Sequence, residues 1–421
     1  MKATFLILVP LLIVSLLFSS ACAKEVVPKE SRTKGEIAVG IFDDLSGPGA
    51  GLSSDYVEGY QDALRYFNEE KGGISGHPLE AIVADHKMDA TLAVSGWDRL
   101  KNEDVLAILS SQAGIVPIIT QAADRDKLPL VTGAGTVGQM YPAGPSYLFF
   151  TGTFLYSYVE AECDMIEEDW AKTGEKRPPK VAFDVMSFGN YRQLFSKASR
   201  MEAEKRGWDY LITYTPLVVA DVTTQALQVK NFGPDYLHLH VGDASCIAWL
   251  KELDRQNLHP KISGHCHLGA ESVWRAVGPL CAGSKILMFG PVWTDTDIPG
   301  VSLLHELNSK WYPQISYRTG NYIRGYSIAL AAIEGMRRAV DNVEFEKLDR
   351  EAVVTALDSI KDYDPIEMGM GYSWSATERD GLRGCIFYEW TENGDQIPAT
   401  GWYTGRSLPQ EWRTDAFWLS D

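Results

Sequence analysis

Short apolar runs alternate with stretches of helical periodicity along most of this chain, and that alternation restricts its fold more than any other feature. Residues 37–42 (IAVGIF) read as a buried strand, followed by a helix with Tyr56, Tyr60, Ala63, Leu64 and Phe67 on one face. Ser53, Ser54 or Asp55 offers that helix an N-cap, and Gly72-Gly73 stops it. Strands over 79–84, 105–109 and 128–131 then alternate with helices over 91–101 and 115–125. After a long helix over 154–172 the pattern repeats, with strands over 180–184, 210–214, 236–241 and 261–264 and helices over 191–206, 223–231 and 246–256. A strand over 286–289 is placed to close the second block; two long helices, 301–311 and 322–342, and a Trp- and Tyr-rich tail follow. Such repetition predicts βαβ units, hence an α/β protein with two doubly wound, Rossmann-like lobes whose parallel sheets are covered on both faces.

The first residues are read as a processing segment. Lys2, an apolar run over 5–18 and the small residues Ser19-Ser20-Ala21-Cys22-Ala23 have the layout of a secretory signal, too short to span a bilayer. Ala21-x-Ala23 suits an ordinary signal peptidase, whereas Ser19-Ser20-Ala21-Cys22 resembles a lipobox with lipid on Cys22. Residues 23–35 read as a polar tether. The expectation is an exported, lipid-anchored protein at the periplasm or cell surface, reaching the membrane through Cys22. From Glu36 onward the length suggests two or three domains. A formal net charge of −17 argues against a nucleic-acid partner, whose phosphates it would repel.

Ligands of open parallel sheets bind beyond the carboxyl ends of the strands. Those ends are Asp43 to Asp55 (DDLSGPGAGLSSD), Ser110-Ser111-Gln112-Ala113-Gly114, Thr132 to Thr136, Val185 to Tyr191, Gly242-Asp243-Ala244 and His265-Cys266-His267. One set offers hydroxyls and free backbone N–H groups that suit a carboxylate. The other offers aromatics, an acid and imidazoles. Gly133-Ala-Gly135-Thr-Val-Gly138 formally matches a dinucleotide fingerprint, but Pro142 and Pro145 follow too closely for the long helix that a pyrophosphate needs. The loop is therefore read as a seat for a small solute, and no cofactor is expected.

At these positions the chain resembles the type I periplasmic solute-binding proteins of ABC transporters, particularly the branched-chain amino acid and amide group. DDLSGPGAG with the later GGISG, then LAILSSQAG (106–114) and KLPLVTGAGT (127–136), are similar to that family's signatures. The element order matches nearly throughout after Gly35; the motifs are specific to about Thr136 and looser beyond. The resemblance implies two lobes joined by a three-strand hinge, closing on a solute like a trap and delivering it to permease subunits. It implies a first lobe of 36–152 with about 290–365, and a second of 153–289 with about 366–421. The solute's carboxylate would meet Ser110, Ser111 and Gln112 on one loop and Ala134 and Thr136 on another. Phe188 stands where the family usually has a second-lobe tyrosine. The family's ammonium-pairing acid falls near His265, where none is present, and Asp243 is the substitute.

Other features are weighed against plainer roles. His238, His240, His265 and His267 are two pairs near the ends of neighbouring strands; metal ligation by them is chemically possible, but no helix-borne H-E-x-x-H accompanies them and no metal is expected. His265 or His267 can line the cleft. Cys246, Cys266 and Cys281 are read as separate thiols or as one disulfide with a spare. There is no G-x-S-x-G elbow or P-loop, so an enzyme is not expected. Most tail aromatics are read as packing, with Trp293 placed near the cleft beside a hinge. The expectation is capture of a small carboxylate-bearing solute, an amino acid or a related organic acid or amide. A ligand-sensing module of the same fold, or a secreted hydrolase, is the alternative.

Overall fold

Two open sheets organise the chain. The computed structural model describes residues 35–111, 116–133, 135–152, 155–187, 191–216, 221–382, 384–405 and 408–420. The signal segment, nearly all of the tether, Cys22, Gln112, Ala134 and Phe188 lie outside these residues. The first sheet holds β1 (Ile37–Asp43), β2 (Leu79–Asp85), β3 (Ala107–Ser110), β4 (Leu130–Thr132) and β5 (Leu148–Phe150). Between them run α1 (Ala50–Lys71), α2 (Ala90–Asn102), α3 (Val116–Asp126) and the one-turn α4 (Val137–Met140). The strand order is β2-β1-β3-β4-β5, and every pairing is parallel.

Helix α5 (Leu155–Ala171) leads into the second lobe. There β6 (Lys180–Met186), β7 (Asp209–Thr215), β8 (Tyr236–His240), β9 (Lys261–Gly264) and β10 (Lys285–Met288) alternate with α6 (Tyr191–Arg206), α7 (Thr223–Phe232), α8 (Asp243–Arg255) and α9 (Glu271–Val277). The chain then returns to the first lobe through α10 (Pro299–Trp311), α11 (Gly320–Asn342) and α12 (Arg350–Asp358). It crosses back a third time into β11 (Gly384–Trp390) and β12 (Gln396–Thr404), antiparallel additions that complete the order β12-β11-β10-β9-β8-β6-β7. A short α13 (Asp415–Leu419) ends the described chain.

The alternation placed most elements within a few residues, for a physical reason: buried parallel strands such as β1 are apolar on both faces. Five elements were not foreseen, α4, β5, α9, α12 and α13, each short and without a clean period. Helix α1 begins at Ala50, ahead of Ser53, because the Asp44 carboxylate accepts the backbone N–H groups of Gly47 and Gly49 and turns the chain early. Cys163, Cys246, Cys281 and Cys385 are buried as separate thiols, and Cys266 is free as well. No described helix is long and apolar enough to cross a membrane.

Helices α1 and α11 pack backbone to backbone. A Cβ at Gly59 would lie 2.3 Å from the Tyr322 carbonyl oxygen, and one at Gly325 would lie 2.3 Å from that of Tyr56. Glycine at both positions brings α11 against the start of α1. The order of the first sheet reverses between β1 and β3, and that of the second between β6 and β8. Crevices at such reversals are where open α/β sheets take ligands.

Candidate functional site

A cavity of about 370 Å³ lies between the lobes. Asp55 and Glu58 of α1 and the segment 317–322 line it from the first lobe; Asp243, Cys266, Glu271 and Arg275 line it from the second. A pocket of about 20 Å³ shares Cys266, Met288, Gly320 and Asn321 with it and is also lined by Phe289, Arg324 and Met370.

Arg324, on the second turn of α11, was missed in the sequence. Its guanidinium carbon lies 4.4 Å from the ring centre of Phe289 and 5.9 Å from that of Tyr56. Nη2 is 3.6 Å from the position of a Cβ at Gly133 and 3.1 Å from one at Gly152, so the head group reaches the loops that leave β4 and β5. Nε is buried and has no hydrogen-bond partner, and no described carboxylate forms an ion pair with the side chain. The groups around it are neutral near pH 7. Burial pushes the phenols of Tyr56, Tyr191 and Tyr372 up to about 12, and the Cys266 thiol likewise. Burial, with other imidazoles and Arg324 nearby, holds His265 well below the usual imidazole range. A cation with a buried, unpartnered nitrogen and no counter-charge is costly to a protein.

The first-lobe residues expected to meet that anion are largely engaged elsewhere. Ser111 donates its N–H to both Asp43 oxygens at 3.0 and 3.1 Å, and its hydroxyl to Oδ1 at 2.8 Å. Burial raises the Asp43 carboxyl to about 8, against the opposing pull of the Ser111 hydrogen bonds. A raised folded-state value makes stability greatest below the ordinary carboxylate range, and stability is lost as pH climbs from about 4 to about 8. Asp43→Asn should remove this decline, and urea midpoints measured at pH 5 and pH 8 should converge. The Ser110 hydroxyl is buried without a partner, and its carbonyl accepts the Gly133 N–H at 3.1 Å.

Thr136 sits in a real anion seat, but the chain fills it. Its hydroxyl donates to Asp415 Oδ2 and the Gly138 N–H to Oδ1, both at 3.0 Å, while Gln139 closes a capping box on the Thr136 N–H. No long helix follows the glycines: α4 forms for one turn only and is capped at Tyr141, before Pro142. The Asp415 segment touches both lobes. Trp412 and Trp418 pack on Tyr156 of α5, Lys197 of α6 donates to the Phe417 and Ser420 carbonyls, and Arg413 stacks on Tyr141. Asp415→Ala leaves two donors unpaired and should destabilise the protein by about 1–2 kcal/mol in denaturant unfolding.

In the second lobe Asp243 opens α8 and accepts from Ser272 at 3.0 Å; its Oδ1 lies 2.7 Å from His267 Nδ1. Its pKa is lowered, burial opposing and the His267 and Ser272 hydrogen bonds prevailing. His265 makes ring contacts with Tyr158 at 5.4 Å and Phe289 at 5.5 Å, so it stands in the aromatic wall behind Arg324. Trp293 differs from the expectation. It is 3% exposed, stacks on His305 at 3.9 Å, donates to the Ser316 carbonyl and lines neither cavity, because the segment after β10 turns into the first lobe's core.

The four histidines do not assemble. His238 and His240 point from β8 to Glu162 of α5, with Nε2 to carboxylate distances of 2.9 and 3.1 Å, and His238 Nδ1 lies 2.7 Å from the Ser263 hydroxyl. The three residues could hold a metal ion by spacing. Burial holds the imidazoles at about 3 and about 4 and raises the Glu162 carboxyl, with His240 pulling the other way.

Two doubly wound lobes, three crossings and a cavity at the facing strand ends define a two-lobed solute-binding fold. The chain belongs to the periplasmic binding protein family, whose model matches residues 36–395. Among solved structures, it is similar to a branched-chain amino acid ABC transporter protein from Thermus thermophilus with bound valine. The TM-score is 0.76 at 19% identity, covering 88% of this chain and 97% of that one. A fatty acid ABC transporter substrate-binding protein from Thermomonospora curvata has a TM-score of 0.73 at 22% identity, covering 89% and 93%. A leucine-binding protein from Thermotoga maritima has 0.72 at 15%, covering 87% and 99%. These likenesses establish the fold. No curated protein matches the chain.

Proposed function

We propose that this protein captures a small carboxylate-bearing solute between its lobes and presents the closed form to the permease of an ABC importer. The observation that carries the reading is the Arg324 guanidinium, its Nε buried and no described carboxylate paired to it, in the small pocket that adjoins the inter-lobe cavity. The solute's carboxylate docks on Arg324 near the ends of β3 and β4, with Ser110, Gln112 and Ala134 proposed to contact it. Closure then adds second-lobe contacts from Phe188, His265 and Cys266. The bound solute shifts the population toward closure by its extra affinity for that state. No chemistry is performed on it. The protein works outside the cytoplasm, held to the membrane by lipid on Cys22, and mass spectrometry of the membrane-extracted protein reads that modification directly.

A thermal-shift screen of amino acids, aromatic acids, dicarboxylates and amides tests the reading. A ligand at about 100 times its Kd adds about 2.7 kcal/mol of stability. Carboxylates should raise the melting temperature and neutral amides should not. A shift with amides alone, or turnover of an ester without any shift, would sink the proposal.

A further inference from the structure

The acids that line the cleft are all engaged by groups of the chain, and none lies in the pocket that holds Arg324, which bears on what the solute must lack. Each carboxylate lining the cavity already has a partner. Glu58 pairs with Arg318, and Glu271 pairs with Arg275 at 2.9 Å. Asp55 accepts from the Thr319 hydroxyl at 2.7 Å, and Asp243 is held by His267 and Ser272. Asp43 is fully buried beneath Ser111 and lines neither cavity. No described acid lining the cavity is thus without a hydrogen-bond partner, and none lines the pocket at Arg324 where an α-ammonium would lie. Around Arg324 the walls are rings: Tyr56, Phe289 and, behind them, Tyr158 and His265 in contact with one another. Such walls favour flat or branched apolar bodies.

Resting on the proposed carboxylate capture, we infer that the solute is an organic acid with an apolar body and no ammonium group, rather than an amino acid. An α-ammonium beside the carboxylate would come close to the Arg324 guanidinium. It would lose its hydration among neutral phenols with nothing to replace it. The pocket at Arg324 therefore reads charge at one point only and excludes the zwitterion.

Matched pairs test this. The mature full chain is titrated calorimetrically with 3-phenylpropionate and phenylalanine, and with 4-methylpentanoate and leucine, each pair differing only by the ammonium. The acid of at least one pair should bind about 100-fold more tightly than its amino acid. Amino acids binding as tightly as the acids would overturn the inference while leaving carboxylate capture intact. Binding by none of the four also overturns it, and the underlying reading then falls only if the wider carboxylate screen is silent too.

Discussion

Arg324→Met is expected to weaken binding of the solute by roughly 150-fold, about 3 kcal/mol, while making the empty protein more stable. The two effects have one cause. In the complex, the carboxylate and the guanidinium cancel each other in a water-poor site, and truncating one partner of such a pair costs several kcal/mol. Without solute, the guanidinium has a buried, unpartnered Nε and no described carboxylate paired to it, and a methionine of similar length fills the space without that penalty. Calorimetry and urea unfolding of the same variant read both signs. Arg324→Lys keeps the charge but loses the two-pronged geometry and should fall between. A variant that lost stability and kept its affinity would show Arg324 to be structural.

Gly325→Ala is expected to destabilise the fold by about 2–3 kcal/mol, although alanine is the better helix former. In an exposed helix the change would gain up to about 1 kcal/mol. Here the new methyl meets the Tyr56 carbonyl oxygen at 2.3 Å and its Cα at 2.8 Å. Backbone cannot rotate away as a side chain can, so α1 and α11 must separate. Gly51→Ala is the control, since a Cβ there has nothing within 4 Å. The midpoint in urea should fall for the first substitution and hold or rise for the second. Because Arg324 is next in sequence to Gly325, solute affinity should fall with the helix displacement as well.

Reading the sequence located the sheets and the crevice more securely than the group at its base. Strand and helix periods are local, so β1 to β4 and β6 to β10 were legible from runs such as IAVGIF and YLHLH. The same logic pointed to strand ends whose Asp243 and Cys266 line the inter-lobe cavity. Arg324 was not found because a charged residue on a helix usually faces water. Its signal was the company it keeps, a single charge within NYIRGYSIALAAI, where Tyr322, Ile323, Tyr326 and Ile328 are all buried. Asp415 could not have been foreseen, since it reaches Thr136 across 279 positions of chain. The partner of Ser111 was hidden for the same reason: the carboxylate it bonds belongs to Asp43, a strand away. Hydroxyls and N–H groups at strand ends announce an anion, and the sequence does not say whether the chain supplies it.

The most direct test is a crystal structure of the protein with the carboxylate that gives the largest thermal shift. The account predicts the solute between the lobes with its carboxylate oxygens about 2.8 Å from the Arg324 guanidinium nitrogens and Asp415 still on Thr136. A carboxylate found at Thr136 in place of Asp415, with Arg324 left unpaired, would contradict it.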